Sequence, residues 1–130
     1  MLERDYIMRL IREFMAALLR MLEKKEIKDR REELQRMYEQ YLGEYTLYHT
    51  TTMDEVIESF DRFAESERIH RMEMLAELYY AEADMTTEPQ RSEMLRRSLL
   101  LFDFIDRKGK TFSFDRLHKM EGIRERLGNQ

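Results

Sequence analysis

"SEMLRRSLLLFDFIDRKGKTFSFDR", residues 92–116, decides between two fold classes. Gly109-Lys110-Thr111 are the closing letters of a phosphate-binding loop, the turn that leads a strand into a helix in nucleotide-binding α/β proteins. The full signature needs another glycine five positions before Gly109, and Phe104 stands there. Without that glycine the backbone amides cannot curl around a phosphate. The residues ahead of the loop, "SEMLRRSLLLFDFIDRK", read as a long helix and not as a strand. Gly109 then reads as the left-handed terminator of that helix and Ser113 as the N-cap of the next. Phe112 and Phe114 flank the cap and are expected to pack inward from the turn. The stretch is helix punctuation, and the fold it belongs to is all-α.

Composition carries the same conclusion along the whole chain. At 130 residues, with a single proline and four glycines, it is one domain, 1–130, long enough to bury a core. Charged residues make up 38% of the chain, so several helix faces must be solvated and laced with mixed-sign pairs. Residues 1–36 carry ten basic and eight acidic side chains, while residues 37–130 carry thirteen and nineteen. The larger part is therefore acidic, and nucleic acid is excluded as a partner. There is no cysteine, hence no disulfide, thiol nucleophile or thiolate metal site, as expected in a reducing compartment. "MLERDYIMRLIREF" is too charged for a signal peptide or a spanning helix, so a cytoplasmic protein of bacterial type is expected.

About six helices are expected. A long N-terminal amphipathic helix covers residues 1–25, with Ile7, Leu10, Ile11, Phe14, Met15, Leu18, Met21 and Leu22 forming a broad apolar face. After the charged connector "KKEIKDRREE", a first hairpin spans 31–66. Its leading helix carries Leu34, Met37, Tyr38, Tyr41, Leu42, Tyr45 and Tyr48 at helical spacing, running through Gly43. Its second helix opens with a capping box, Thr52 and Glu55. A second hairpin spans 67–108, with Thr87 as cap, Pro89 in the first turn and Gln90 at the reciprocal position of its second helix. The segment "SLLLFDFI" within it is apolar nearly all round, as a central helix would be. A capping helix at 113–127 closes the chain, terminated by Gly128.

In the fourth helix, Met72-x-x-Leu75-Ala76-x-x-Tyr79-x-x-x-Ala83-Asp84 resembles the first helix of a tetratricopeptide repeat. "DEVIESFDRFAES" resembles the second helix of such a repeat, with Val56 and Phe60 at the interlocking positions. The resemblance covers roughly residues 31–127 and implies stacked α-α hairpins in a superhelix. The chain departs from it in three places: the leading helix of the first hairpin lacks the leucine-small-tyrosine register, the loop after Asp84 is long, and no proline closes either hairpin. An irregular helical bundle is the alternative architecture. The order of an arginine-rich first helix and a C-terminal hairpin ending in "KTFSFDR" is also similar to small bacterial all-helical proteins of unknown function.

Catalytic and cofactor chemistry finds little support. Glu67-x-x-His70 and Asp115-x-x-His118 have the acid-x-x-His spacing of di-iron bundles, which also need two inward carboxylates from other helices. Arg68, Arg71 and Lys119 beside them give these histidines the company of a solvated face, so no metal is expected. Asp103, inside the most apolar helix, has Arg96 and Arg107 on its own face, and a helical salt bridge accounts for it. No nucleophile-and-base arrangement is present, so neither an enzymatic activity nor a cofactor is expected.

Protein partners are the remaining class. Tyr41, Tyr45 and Tyr48 form either the rim of the core or a recognition surface, since tyrosine buries area while keeping one tip wet. If the repeat geometry holds, Glu73, Glu77 and Tyr80 resemble the concave, ligand-facing positions, which implies a basic or neutral partner and not an acidic one. The first helix either completes the core or meets a second protomer through Ile7, Ile11, Phe14 and Leu18. Asp5 and Glu13 weaken any attraction to anionic lipid. The sequence thus points to a non-catalytic helical interaction or scaffold module, homodimeric if the first helix is not used internally. The alternative is an enzyme or small-ligand or metal binder with a site between helices.

Overall fold

The computed structural model describes residues 2–128 and the side chains of residues 3–128. Among the described residues the elements are α1 (Leu2–Glu23), α2 (Ile27–Tyr41), α3 (Leu47–Thr50), α4 (Met53–Ser59), a 3-10 turn (Phe60–Arg62), α5 (Glu65–Ala83), α6 (Gln90–Lys108) and α7 (Phe114–Gly128), with no strand. The all-α class follows directly from the helix-forming composition. The chain divides into two compact units, residues 1–74 and 75–130, with the division inside α5.

In the first unit α1 packs on α2. Ile7, Phe14, Leu18 and Met21 are buried from α1, and Leu34, Met37, Tyr38 and Tyr41 from α2. The Phe14 and Tyr41 rings meet edge to face at 5.2 Å, the arrangement their quadrupoles favour. The charged connector is largely helical, because helix resumes at Ile27 and leaves only Lys24, Lys25 and Glu26 of it outside.

The helix expected to run through Gly43 to Tyr48 stops at Tyr41 instead. The amides of Leu42 and Gly43 both donate to the Tyr38 carbonyl, at 2.9 Å each, and the chain turns away. Gly43 is required there by close approach: a Cβ would stand 2.4 Å from Arg62 Nη2. That guanidinium is held in place, donating to the Leu42 carbonyl and to the Tyr48 hydroxyl. Tyr45 and Tyr48 therefore lie beyond a turn. Of the capping box expected at the next helix the Thr52 half is formed, with the Glu55 amide donating to Thr52 Oγ1 at 3.2 Å, while the Glu55 carboxylate meets the Thr52 hydroxyl and not its amide. Val56 and Phe60 behind it are fully buried.

In the second unit α6 packs on α7. Its N-terminus is capped one residue later than expected, by Glu88 and not by Thr87. The Glu88 carboxylate accepts from the Ser92 amide at 3.1 Å and from Ser92 Oγ at 3.0 Å. Those bonds hold its pKa below the ordinary carboxylate value. Thr87 supplies its carbonyl to the Arg91 amide, so its backbone and not its hydroxyl joins the helix start. Ser98, Leu101, Phe102 and Ile105 are sealed, but Leu100 is 42% exposed, so α6 has one buried side and is not apolar in use all round.

Gly109 does not adopt the left-handed conformation. Its φ of −77° and ψ of 163° are extended, and its amide closes the helix by donating to the Ile105 carbonyl at 2.7 Å. Ser113 does cap α7, accepting from the Arg116 amide at 3.1 Å. Phe112 and Phe114 do not pack inward; they are 67% and 81% exposed and meet each other edge to face. The loop has another anchor: the buried Arg116 guanidinium donates to Asp106 at 3.0 Å and to the Thr111 carbonyl at 2.8 Å. With that bond in place the phenylalanines need not hold the turn.

Candidate interaction surfaces

The tyrosines expected to face a partner form a core cluster. Tyr41 and Tyr48 are buried, and Tyr45 is half-buried with its ring stacked on His49 at 3.9 Å and edge-on to Tyr38 at 5.0 Å. Burial pushes the Tyr48 phenol up in pKa, against the pull of Arg62. Burial, and then Glu13, raises Tyr41 in the same way. Tyr41, on the last turn of α2, and Tyr48, beyond the turn at Gly43, are both sealed within the first unit. Only Tyr45 keeps a partly open face.

The acidic positions are also engaged. Glu77 is buried and accepts from Lys119 Nζ of α7 at 2.7 and 2.8 Å. Lys119 also meets Asp115 at 3.0 Å and lies 5.6 Å from the centre of the Tyr80 ring. Burial alone would lower the Lys119 pKa, but the bonds and charges of Glu77 and then Asp115 outweigh it and raise the value. The cation that Glu77 was expected to find on a partner is thus supplied by the chain itself. Glu73 is half-buried one turn earlier.

The expected dimer face is likewise internal. Ile7, Phe14 and Leu18 are core residues of the first unit, and Ile11 is half-buried. A different stripe of α1 is open: Met8 is 45% exposed, Met15 41%, Leu19 59% and Leu22 42%. At 100° per residue these four lie within roughly 60° of one another, about 100° around the helix from the buried set. The signal in the sequence is the seven-residue recurrence of Met8, Met15 and Leu22; the broad apolar face expected for this helix included Met15 and Leu22 but not Met8 or Leu19. A shallow groove of about 340 Å³, lined by Glu3, Arg4, Ile7, Met8, Ser66 and His70, runs beside the N-terminal end of the stripe.

In both acid-x-x-His pairs the acid is engaged by a cation of its own unit. Glu67 is held by Arg71 at 2.8 Å and Asp115 by Lys119, while His118 is exposed. Among the described residues no group of three or more His, Asp or Glu side chains could hold a metal ion. Asp103 pairs with Arg107 at 3.0 Å, and Arg96 turns to Glu93 instead. No helix among the described residues is long and apolar enough to cross a membrane. No family model, curated protein or solved structure matches the chain.

Proposed function

We propose that this protein is a non-catalytic helical module whose work is protein–protein association. The observation that carries the reading is the second apolar face of α1, where Met8, Met15, Leu19 and Leu22 stand open beside a face already buried. A helix needs one apolar stripe to join a core, and a second contiguous one marks an interaction site. Two methionines in it supply a surface that adapts to its partner.

The treatment of buried polar groups supports the same reading. Ser98 donates to the Ala76 carbonyl at 2.9 Å, Arg116 to Asp106, and Lys119 to Glu77. These bonds tie helices together, whereas a catalytic site keeps such groups in reach of a substrate. The tetratricopeptide-like pairing belongs to this proposal and concerns α5 and α6. Leu75, Ala76, Tyr79 and Ala83 are all buried, and the small residues Ala76 and Ser98 approach closely, as in a repeat hairpin. A cytoplasmic setting is part of the same proposal.

A photo-crosslinking residue at position 19 of the whole chain, expressed in the native host, tests the reading. A protein adduct is expected at position 19 and not at the exposed polar position Gln40. Equal or absent adducts at the two positions would remove the interaction reading.

A further inference from the structure

We infer that the open stripe of α1 is covered by the same stripe of a second copy of this chain, running antiparallel, with the two-fold axis passing near Met15. This rests on the association reading above and names its partner. Within the stripe Met8, Met15 and Leu22 recur every seven residues with Leu19 between them, the spacing that lets two helices interlock along a seam. An axis at Met15 sets Met8 against Leu22 and Ile11 against Leu19, so apolar faces apolar along the whole length.

The charges choose the direction. Arg4 lies in line with the stripe at its N-terminal end, and Glu23 is the last residue of the helix. Antiparallel pairing brings Arg4 of each copy towards Glu23 of the other. A parallel pair would set Arg4 against Arg4 and Arg12 against Arg12 along the same seam, and like charges so placed are unfavourable. The helix dipoles add to the preference, since antiparallel helices place opposite ends together. The buried residues Ile7, Phe14 and Leu18 are already committed to the first unit, so this contact forms without opening the core.

The seam is narrow compared with the roughly 800 Å² per partner of a standard stable interface, so dissociation at low concentration is expected. Sedimentation of the purified chain from low to high micromolar concentration should show the mass rising from 16.1 kDa towards twice that value. Leu19→Asp, at an exposed position, should keep the helical circular dichroism of the wild type and weaken association roughly tenfold or more.

Because the sequence has no cysteine, orientation can be read cleanly by disulfide trapping. Met15→Cys should crosslink to itself. Met8→Cys and Leu22→Cys should each remain monomeric alone and crosslink when mixed. Self-crosslinking by all three would overturn the antiparallel arrangement, and a wild type that stays monomeric throughout would overturn the second copy as occupant. A monomeric chain that still gives the adduct at position 19 in its host with a different protein would sink this inference alone. Loss of that adduct would sink the association reading as well.

Discussion

In residues 1–74 a cluster of rings sits among aliphatic side chains, and the two arginines that reach into it donate to backbone as well as to Tyr48 and Glu67. Phe14, Tyr38, Tyr41 and Tyr48 fill the space, while Arg62 and Arg71 end on the carbonyls of Leu42 and Tyr41. Those carbonyls belong to the last turn of α2 and its exit, where the helix leaves acceptors unpaired and its dipole is negative. In residues 75–130 the cations end on carboxylates carried by other segments. Lys119 takes Glu77, Arg116 takes Asp106, and Arg126 takes Asp84 at 3.1 Å. The first unit is therefore held by shape and by helix-end capping, and the second adds charge pairs that tie one helix to another. The first should fail through cavities, and the second through unpaired charge and extremes of pH.

The largest effect is expected from Phe14→Ala in the first unit. The side chain is 2% exposed and packs on Tyr41, so truncation leaves a cavity and should lower stability by about 3–5 kcal/mol. Urea denaturation measures it directly. A loss below 1 kcal/mol would mean that rings do not hold this unit.

Next comes Lys119→Met in the second unit. It removes the cation paired with the buried Glu77 carboxylate, at a cost of about 3 kcal/mol. Adding Glu77→Leu should restore more than half of the loss, because the buried charge is then gone. If the double variant is no better than the single one, the pair acts through packing and not through charge.

A smaller, pH-dependent effect sharpens the same contrast. The folded Lys119 pKa lies above its ordinary value of 10.5, so its contribution is complete below that value. It is lost as pH rises through the higher folded value. Tyr48, raised from 10.0 by burial, adds a loss of the same sign in alkali. Thermal melts between neutral pH and pH 11 should therefore fall in the alkaline range, and less steeply in Lys119→Met than in the wild type. The smallest change should come from Phe112→Ala. Its ring is mostly exposed and Arg116 holds the loop, so stability should move by no more than about 0.5 kcal/mol. A larger loss would restore the inward-packing role that the sequence suggested for this residue.

Local chemistry was legible where it depends on neighbours in sequence. The caps at Thr52 and Ser113, the long first helix and the Asp103–Arg107 pair all involve partners within one turn. The spacing of three and four that joins Tyr38, Tyr41, Tyr45 and Tyr48 misled, because a turn that keeps the same side inward preserves the spacing while ending the helix. Glu77 and Asp115 misled for a related reason. Their shared cation, Lys119, lies four residues from one and forty-two from the other, and only the fold brings the distant pair together.

The sequence by itself determined the helical class, because helix propensity, capping and the scarcity of glycine and proline act over a few residues at a time. It also determined that the apolar face of α1 would be broad. Tertiary structure alone decided which stripe enters the core: Phe14 is sealed against Tyr41, while Leu19, five residues on and as apolar, is left in the open. Periodicity measures how much of a helix is apolar, but burial depends on where the neighbouring helix lies, and that is set by contacts distant in sequence.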